Sequence, residues 1–198
     1  MTKIQNILDN NETIACVLTE TINNVGNSTK LILNCGKPII IHKSVSSVLR
    51  EIAEFYAIDL KLLRKKQQTY IHNKYYMPLP ITKSLLLIPI KTKTPIVPKD
   101  PSISYINFYS IKEISSSKPY IYLNNGIKIK SLNSVDTIKK RYSQASICHR
   151  FMDSANSNTA YDYPVTKADL EKLKEEILHT QKCLIESIVR HKKNNQFS

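Results

Sequence analysis

Seven of the nine prolines fall between positions 78 and 119, as Pro78, Pro80, Pro89, Pro95, Pro98, Pro101 and Pro119. Inside a helix a proline removes a backbone donor and clashes with the preceding turn; inside a sheet it is confined to edges and bulges. The middle of the chain therefore folds as short strands and loops, and helices are restricted to its flanks. The expected class is α+β: short antiparallel strands and hairpins packed with two or three helices, plus a C-terminal amphipathic helix.

Glu12 to Thr19 and Thr29 to Asn34 read as strands, joined by a turn at Asn23 to Ser28 around Gly26; Pro38 to His42 is a third strand after Cys35-Gly36-Lys37. Ser44 caps a helix over 45–56, in which Val45, Val48, Leu49, Ile52, Phe55 and Tyr56 recur at helical spacing. Asp59 caps a second, basic helix over 60–68. Leu85 to Ile90 is a buried strand, Lys91 to Pro101 an exposed basic loop, and Ser104 to Ile111 another strand. Asn125-Gly126 between alternating runs predicts a two-residue type I′ hairpin over Tyr120 to Lys130, with Lys128 and Lys130 on one face. Ser134 caps a helix that turns Val135, Ile138, Tyr142, Ala145, Cys148 and Phe151 to the core.

These elements make one domain over 1–153, followed by a polar linker over 154–165 and a C-terminal helix over 166–193. In that helix Leu170, Ile177 and Leu184 repeat every seven residues. The stripe either packs back on the body or pairs with another copy.

The net charge is +13, and it is not evenly spread. Residues 61–99 carry Lys61, Arg64, Lys65, Lys66, Lys74, Lys83, Lys91, Lys93 and Lys99 with no Asp or Glu. An AT-rich genome would raise Glu along with Lys, yet 29 basic residues face 16 acidic ones. Like charge concentrated in one segment repels itself unless an anionic partner offsets it, and nucleic acid is the usual partner. A membrane binder would set its lysines opposite Trp or Phe on one amphipathic helix. This chain has no Trp, and its cations span several elements.

Other classes find little support. No apolar run approaches the roughly 20 residues needed to cross a bilayer, and the first residues lack the apolar centre of a signal peptide. A cytoplasmic, nucleoid-associated protein with no membrane partner is expected. Cys16, Cys35, Cys148 and Cys183 form no C-x-x-C pair and read as small buried side chains. Three glycines cannot supply a phosphate-cradling loop, and the five histidines lack metal-ligand spacing, so neither cofactor, metal nor catalysis is expected.

Candidate DNA contacts are Lys61, Arg64, Lys65 and Lys66 on the basic helix, with Lys74, Lys91, Lys93, Lys139, Lys140 and Arg141 beside them. Two alternatives stay open: an RNA or general nucleic-acid module stacking bases on tyrosines, and a protein-interaction factor with an acidic partner.

Residues 50–152 resemble the competence transcription factors of Gram-positive bacteria, the ComK family. The shared features are Phe55-Tyr56 before Arg64-Lys65, Pro78-Leu79-Pro80-Ile81, and Leu86-Leu87-Ile88-Pro89. Tyr105-Ile106 leading to Ile111-Lys112-Glu113, the Asn125-Gly126 turn, and Lys140-Arg141-Tyr142 to Arg150-Phe151 continue the order. The family's Phe-Gly-Ser-Ser run is replaced here by Phe55-Tyr56-Ala57-Ile58. The resemblance implies an activator of DNA-uptake genes that binds AT-rich boxes through the minor groove as a homo-oligomer. It also implies control by a Clp-protease adaptor.

Overall fold

Two of the strand-forming runs are apolar at consecutive positions rather than alternate ones. Ile14, Ala15, Cys16 and Val17 are all buried, as is every residue from Leu85 to Ile90. Strands of this kind need cover on both faces. The computed structural model, which describes residues 2–71, 76–95, 100–157 and 174, shows how that cover is supplied. Among the described residues the order is α1 (Lys3–Asp9), β1 (Ile14–Ile22), β2 (Gly26–Leu33), β3 (Pro38–Ile41), α2 (Val45–Phe55), α3 (Leu60–Tyr70), β4 (Leu79–Thr82), β5 (Leu85–Lys91) and β6 (Ile103–Asn107). It continues through a 3-10 turn at Phe108–Ser110 to β7 (Ile111–Ile114), β8 (Tyr120–Leu123), β9 (Lys128–Lys130) and α4 (Val135–Ser157). The fold is α+β.

The central sheet has six strands in the order β3-β2-β1-β6-β5-β4, and a second sheet has three, β7-β8-β9; every pairing is antiparallel. One face of the large sheet packs on α1 and α2, through Ile4, Ile7 and Leu8 and through Val45, Val48, Leu49 and Ile52. The opposite face packs on the small sheet and α4, through Ile121, Leu123, Ile129, Ile138, Ala145 and Cys148. Leu60 and Leu63 of α3 pack against the first cluster while Ile71, just past its end, belongs to the second.

The chain divides into two compact units, Met1–Asp153 and Ser154–Ser198. α4 runs on to Ser157, through the first residues of the stretch read as a linker. The remaining linker and the heptad helix lie outside the described residues, apart from Lys174, which is helical and exposed. No helix of the described residues is long and apolar enough to cross a membrane.

Asn107 ties the central sheet together. Fully buried, its amide donates to the carbonyls of Ile14 (3.0 Å) and Ser84 (2.9 Å) and accepts from the Leu86 N–H at 3.3 Å. One side chain thus serves β1, β5 and the turn between β4 and β5. It also ends β6: its Oδ1 accepts from the Tyr109 N–H at 3.4 Å as the 3-10 turn begins, so the strand expected over 104–111 stops at Asn107.

The structure contains one unit twice. β1-β2-β3-α2 and β7-β8-β9-α4 are each an antiparallel meander feeding a Ser-capped helix. In the first, the Gly36 N–H donates to the Leu33 carbonyl at 2.8 Å and the Leu33 N–H to the Lys37 carbonyl at 3.0 Å. Ninety positions on, Gly126 bonds Leu123 at 3.0 Å and Leu123 bonds Ile127 at 2.9 Å. Gly36 and Gly126 have φ of 86° and 81°. Ser44 Oγ accepts from the Ser47 N–H and Ser134 Oγ from the Thr137 N–H, both at 3.3 Å. The first strands bulge at matching places, between Ile14 and Cys16 opposite Leu33 and Ile32, and between Ile111 and Glu113 opposite Leu123 and Tyr122.

The Asn125-Gly126 turn is therefore not the expected type I′ pair. Of its residues only Gly126 has positive φ, and the Leu123–Gly126 bond makes Asn124 and Asn125 the central residues, followed by a glycine bulge. The side chain of Asn125 stabilises this form, accepting from the Ile127 N–H at 3.1 Å and donating to the Leu33 carbonyl at 3.1 Å.

Asn107→Ala would leave buried backbone groups on three segments without a partner. The expected loss is about 3 kcal/mol, read by urea denaturation. Gly36→Ala and Gly126→Ala place a Cβ where nothing lies within 4 Å, so each cost is conformational only. About 1 kcal/mol is expected for both; markedly unequal losses would contradict the equivalence of the two turns.

Candidate nucleic-acid interface

The candidate interface is built on α3. Asp59 starts the helix: its carboxylate accepts from the Lys61 N–H at 2.7 Å and the Leu62 N–H at 3.1 Å. Leu60 and Leu63 turn to the core, and the buried Gln67 accepts from the Cys148 thiol of α4 at 3.0 Å. These three positions hold one side of the helix, which runs two residues longer than the 60–68 expected. Lys61, Leu62, Arg64, Lys65, Lys66, Gln68 and Thr69 are exposed.

The helix has no carboxylate of its own. Lys61 sits in the first turn, where the helix dipole disfavours a cation, and Lys61 and Lys65 repel at i, i+4 spacing. Neither they nor Arg64 and Lys66 make an ion pair with any described residue; the pair Lys43–Glu51, at 2.5 Å, joins the end of β3 to α2. The sequence candidates Lys61, Arg64, Lys65 and Lys66 thus lie together on one uncompensated helix.

A groove of about 650 Å³ separates α2 from α3, lined by Ser46, Arg50, Glu54, Asp59, Lys61 and Arg64 among others. A smaller one, about 290 Å³, continues past Ser46 and Arg64 to Ser102 and Tyr105. Arg64 and Tyr105 line this groove together; burial pushes the Tyr105 pKa up, and the Arg64 charge opposes it. Arg50 reads in the sequence only as part of the polar face of α2; the fold sets it on the same groove as Lys61 and Arg64. With Glu54 and Asp59 also present, the outward arc of α3 is more strongly positive than the groove.

The other candidates are dispersed. Lys74 lies outside the described residues. Lys91 is half-buried at the end of β5, and Lys93 donates to the Thr21 hydroxyl. Lys139 and Lys140 are exposed on α4.

Arg141 is a correction: it is buried, at 9% exposure, and unavailable to a phosphate. Its guanidinium donates to the Pro89 carbonyl at 2.7 Å and to Asn133 Oδ1 at 3.2 Å, and lies 4.7 Å from the Tyr76 ring centroid. The cause is the sheet edge: β4 pairs with β5 only as far as Leu87, so beyond it β5 has β6 on one side and, among the described residues, no strand on the other. Arg141, the Leu132 N–H (2.7 Å to the Lys91 carbonyl) and Asn133 Oδ1 (2.8 Å from the Lys91 N–H) cover that edge. Burial lowers the Arg141 pKa, against the effect of Tyr76 and Tyr105.

Two further expectations change. Phe151, read as core, is 47% exposed. Cys35 is exposed in its turn, whereas burial pushes the Cys148 thiol up to about 11 and raises Cys16 as well; Cys183 lies outside the described residues. On the small sheet, Lys128 Nζ lies 3.8 Å and 5.5 Å from the ring centroids of Tyr120 and Tyr122. Among the described residues no group of His, Cys, Asp and Glu is placed to hold a metal ion.

No family model, curated protein or solved structure matches the chain.

The burial of Arg141 separates it from its neighbours by experiment. Arg141→Ala is expected to cost about 3 kcal/mol by orphaning the Pro89 carbonyl and opening the edge of β5. Lys139→Ala and Lys140→Ala are expected to stay within about 0.5 kcal/mol of the parent in thermal or urea denaturation.

Proposed function

We propose that this protein is a non-catalytic regulator that binds duplex DNA through the exposed cationic face of α3. The observation that carries the reading is four basic side chains on a helix that has no carboxylate and makes no ion pair with any described residue. Such an arrangement is under electrostatic strain alone and relieved against a polyanion, where each neutralised phosphate also releases condensed counterions. Arg50, across the groove, extends the face, and Lys139 and Lys140 supply secondary contacts.

The ordered motifs shared with competence factors support the same reading. They extend it to AT-rich promoter boxes, activation of DNA-uptake genes, a homo-oligomer, a Clp-protease adaptor as partner and a place on the nucleoid. AT-rich tracts favour cationic ligands because their narrowed minor groove carries enhanced negative potential.

A second reading rests on the small sheet. Tyr120 and Tyr122 stand on one strand face beside Lys128, an arrangement suited to stacking unpaired bases. Two other tyrosines are engaged: Tyr109 with His149 at 3.2 Å, and Tyr142 stacked on Phe108 at 4.9 Å between ring centroids. Competition between AT-rich duplex, GC-rich duplex and single strands separates the readings, with AT-rich duplex expected to win.

Replacing Lys61, Arg64, Lys65 and Lys66 together by Ala is expected to weaken duplex binding and flatten its dependence on salt. Each phosphate contact removed lowers the slope of log K against log salt by about 0.9. Gel shifts at three or more salt concentrations measure it, and unchanged affinity and slope would refute the assignment to α3.

A further inference from the structure

We infer that α2 and α3 form a helix–turn–helix and that α3 enters the major groove of the duplex. The inference rests on the DNA-binding reading and departs from the minor-groove contact that the family resemblance implies.

Two helices of eleven residues each are joined by four residues, Tyr56 to Asp59, a spacing that suits this motif. The join is closed at both ends. The Ile58 N–H reaches back to the Ala53 carbonyl at 2.8 Å and the Ala57 N–H to the Glu54 carbonyl at 3.0 Å, with Ala57 at φ 54°. This is a Schellman ending with alanine where glycine is usual. One residue later Asp59 caps α3. No free residue separates the two motifs, so the direction in which α3 leaves α2 is set by hydrogen bonds.

The helices also divide the work as the motif requires. α2 is sunk against the sheet by Val45, Val48, Leu49, Ile52 and Ala53. α3 touches the body with one stripe and presents its other described side chains. On the outer side, Lys61, Lys65 and Gln68 follow i, i+4, i+7 spacing and form a single line. Arg64 flanks that line on the side of the α2 groove, next to Arg50 and Ser46, and Lys66 flanks it on the other. Lysine can donate to guanine O6 and N7, and glutamine can pair bidentately with adenine N6 and N7. Leu62, 64% exposed beside the same line, is an apolar surface for a thymine methyl group.

Size decides between the grooves. A helix is about 10 to 12 Å across with its side chains, and eleven residues span about 16 Å. The major groove, about 12 Å wide, admits such an element and the minor groove, about 6 Å wide, does not. A cationic arm could enter the narrower groove, but the cations here are mounted on the helix.

The test uses the full chain and one AT-rich duplex in three forms: unmodified, with 7-deazaadenine replacing adenine, and with netropsin filling the minor groove. Loss of the N7 acceptors is expected to weaken binding on the order of tenfold for each adenine contacted, while netropsin leaves affinity unchanged. Gln68→Ala, on an exposed position, is expected to lower the preference for AT-rich over GC-rich duplex without lowering affinity for the GC-rich one. If netropsin displaces the protein and 7-deazaadenine has no effect, the helix does not read the major groove, although DNA binding stands. Absence of binding to any duplex in dilute buffer overturns both readings.

Discussion

Burial of the central sheet on both faces is the constraint from which the rest of the architecture follows. Cys16 and Val17 pack to opposite sides of β1, and Leu86, Leu87 and Ile88 alternate sides along β5, yet all are at most 1% exposed. Neither face can meet water. α1 and α2 close one side, and the small sheet with α4 closes the other, so each copy of the repeated meander-and-helix unit has its helix on a different face. The two copies meet at their turns, where Asn125 donates to the Leu33 carbonyl at 3.1 Å and Ser110 to Asn34 at 2.6 Å. β4 pairs with β5 at only three positions, Leu85 to Leu87, which leaves that edge of β5 open at its far end, and the segment entering α4 fills it.

α3 is the element this packing does not consume. It joins the body through Leu60, Leu63 and Gln67, a narrow seam, and its polar anchor is the thiol of Cys148. The elevated pKa of Cys148 keeps that thiol protonated and able to donate across the neutral range. The other described side chains of α3 are exposed, and nothing acidic within the helix balances its charge. A helix that adds little to the core and carries repulsive charge is costly to stability alone. The proposed contact with DNA would offset that cost.

Much of this is legible in the sequence, and the failures have causes. Strands, caps and the two middle helices follow from local signals: Ser44, Asp59 and Ser134 all cap where their side chains and the following apolar spacing place them. α1 escaped notice because seven residues give too short a pattern, although Thr2 and Gln5 form a capping box around it. Arg141 misled because its partner, the Pro89 carbonyl, lies 52 positions away, and proximity to Lys139 and Lys140 says nothing about which way it points. The hairpin type depended on Asn125 reaching Leu33, a contact between distant turns. The repeat was available at a fixed offset of ninety positions, where Leu33-Asn34, Gly36 and Ser44-Val45 recur as Leu123-Asn124, Gly126 and Ser134-Val135. A comparison for self-similarity at a given spacing would have found it. The α3 cations were legible because charge, unlike contact, is a property of the segment itself.

The central claim is that α3 is the surface that meets DNA, and amide chemical-shift mapping tests it most directly. On titrating the labelled protein with a short AT-rich duplex, the account predicts that the largest perturbations fall on the backbone signals of residues 60–69 and on Arg50. Perturbations confined to the Tyr120–Lys130 hairpin, with the α3 signals unmoved, would contradict it.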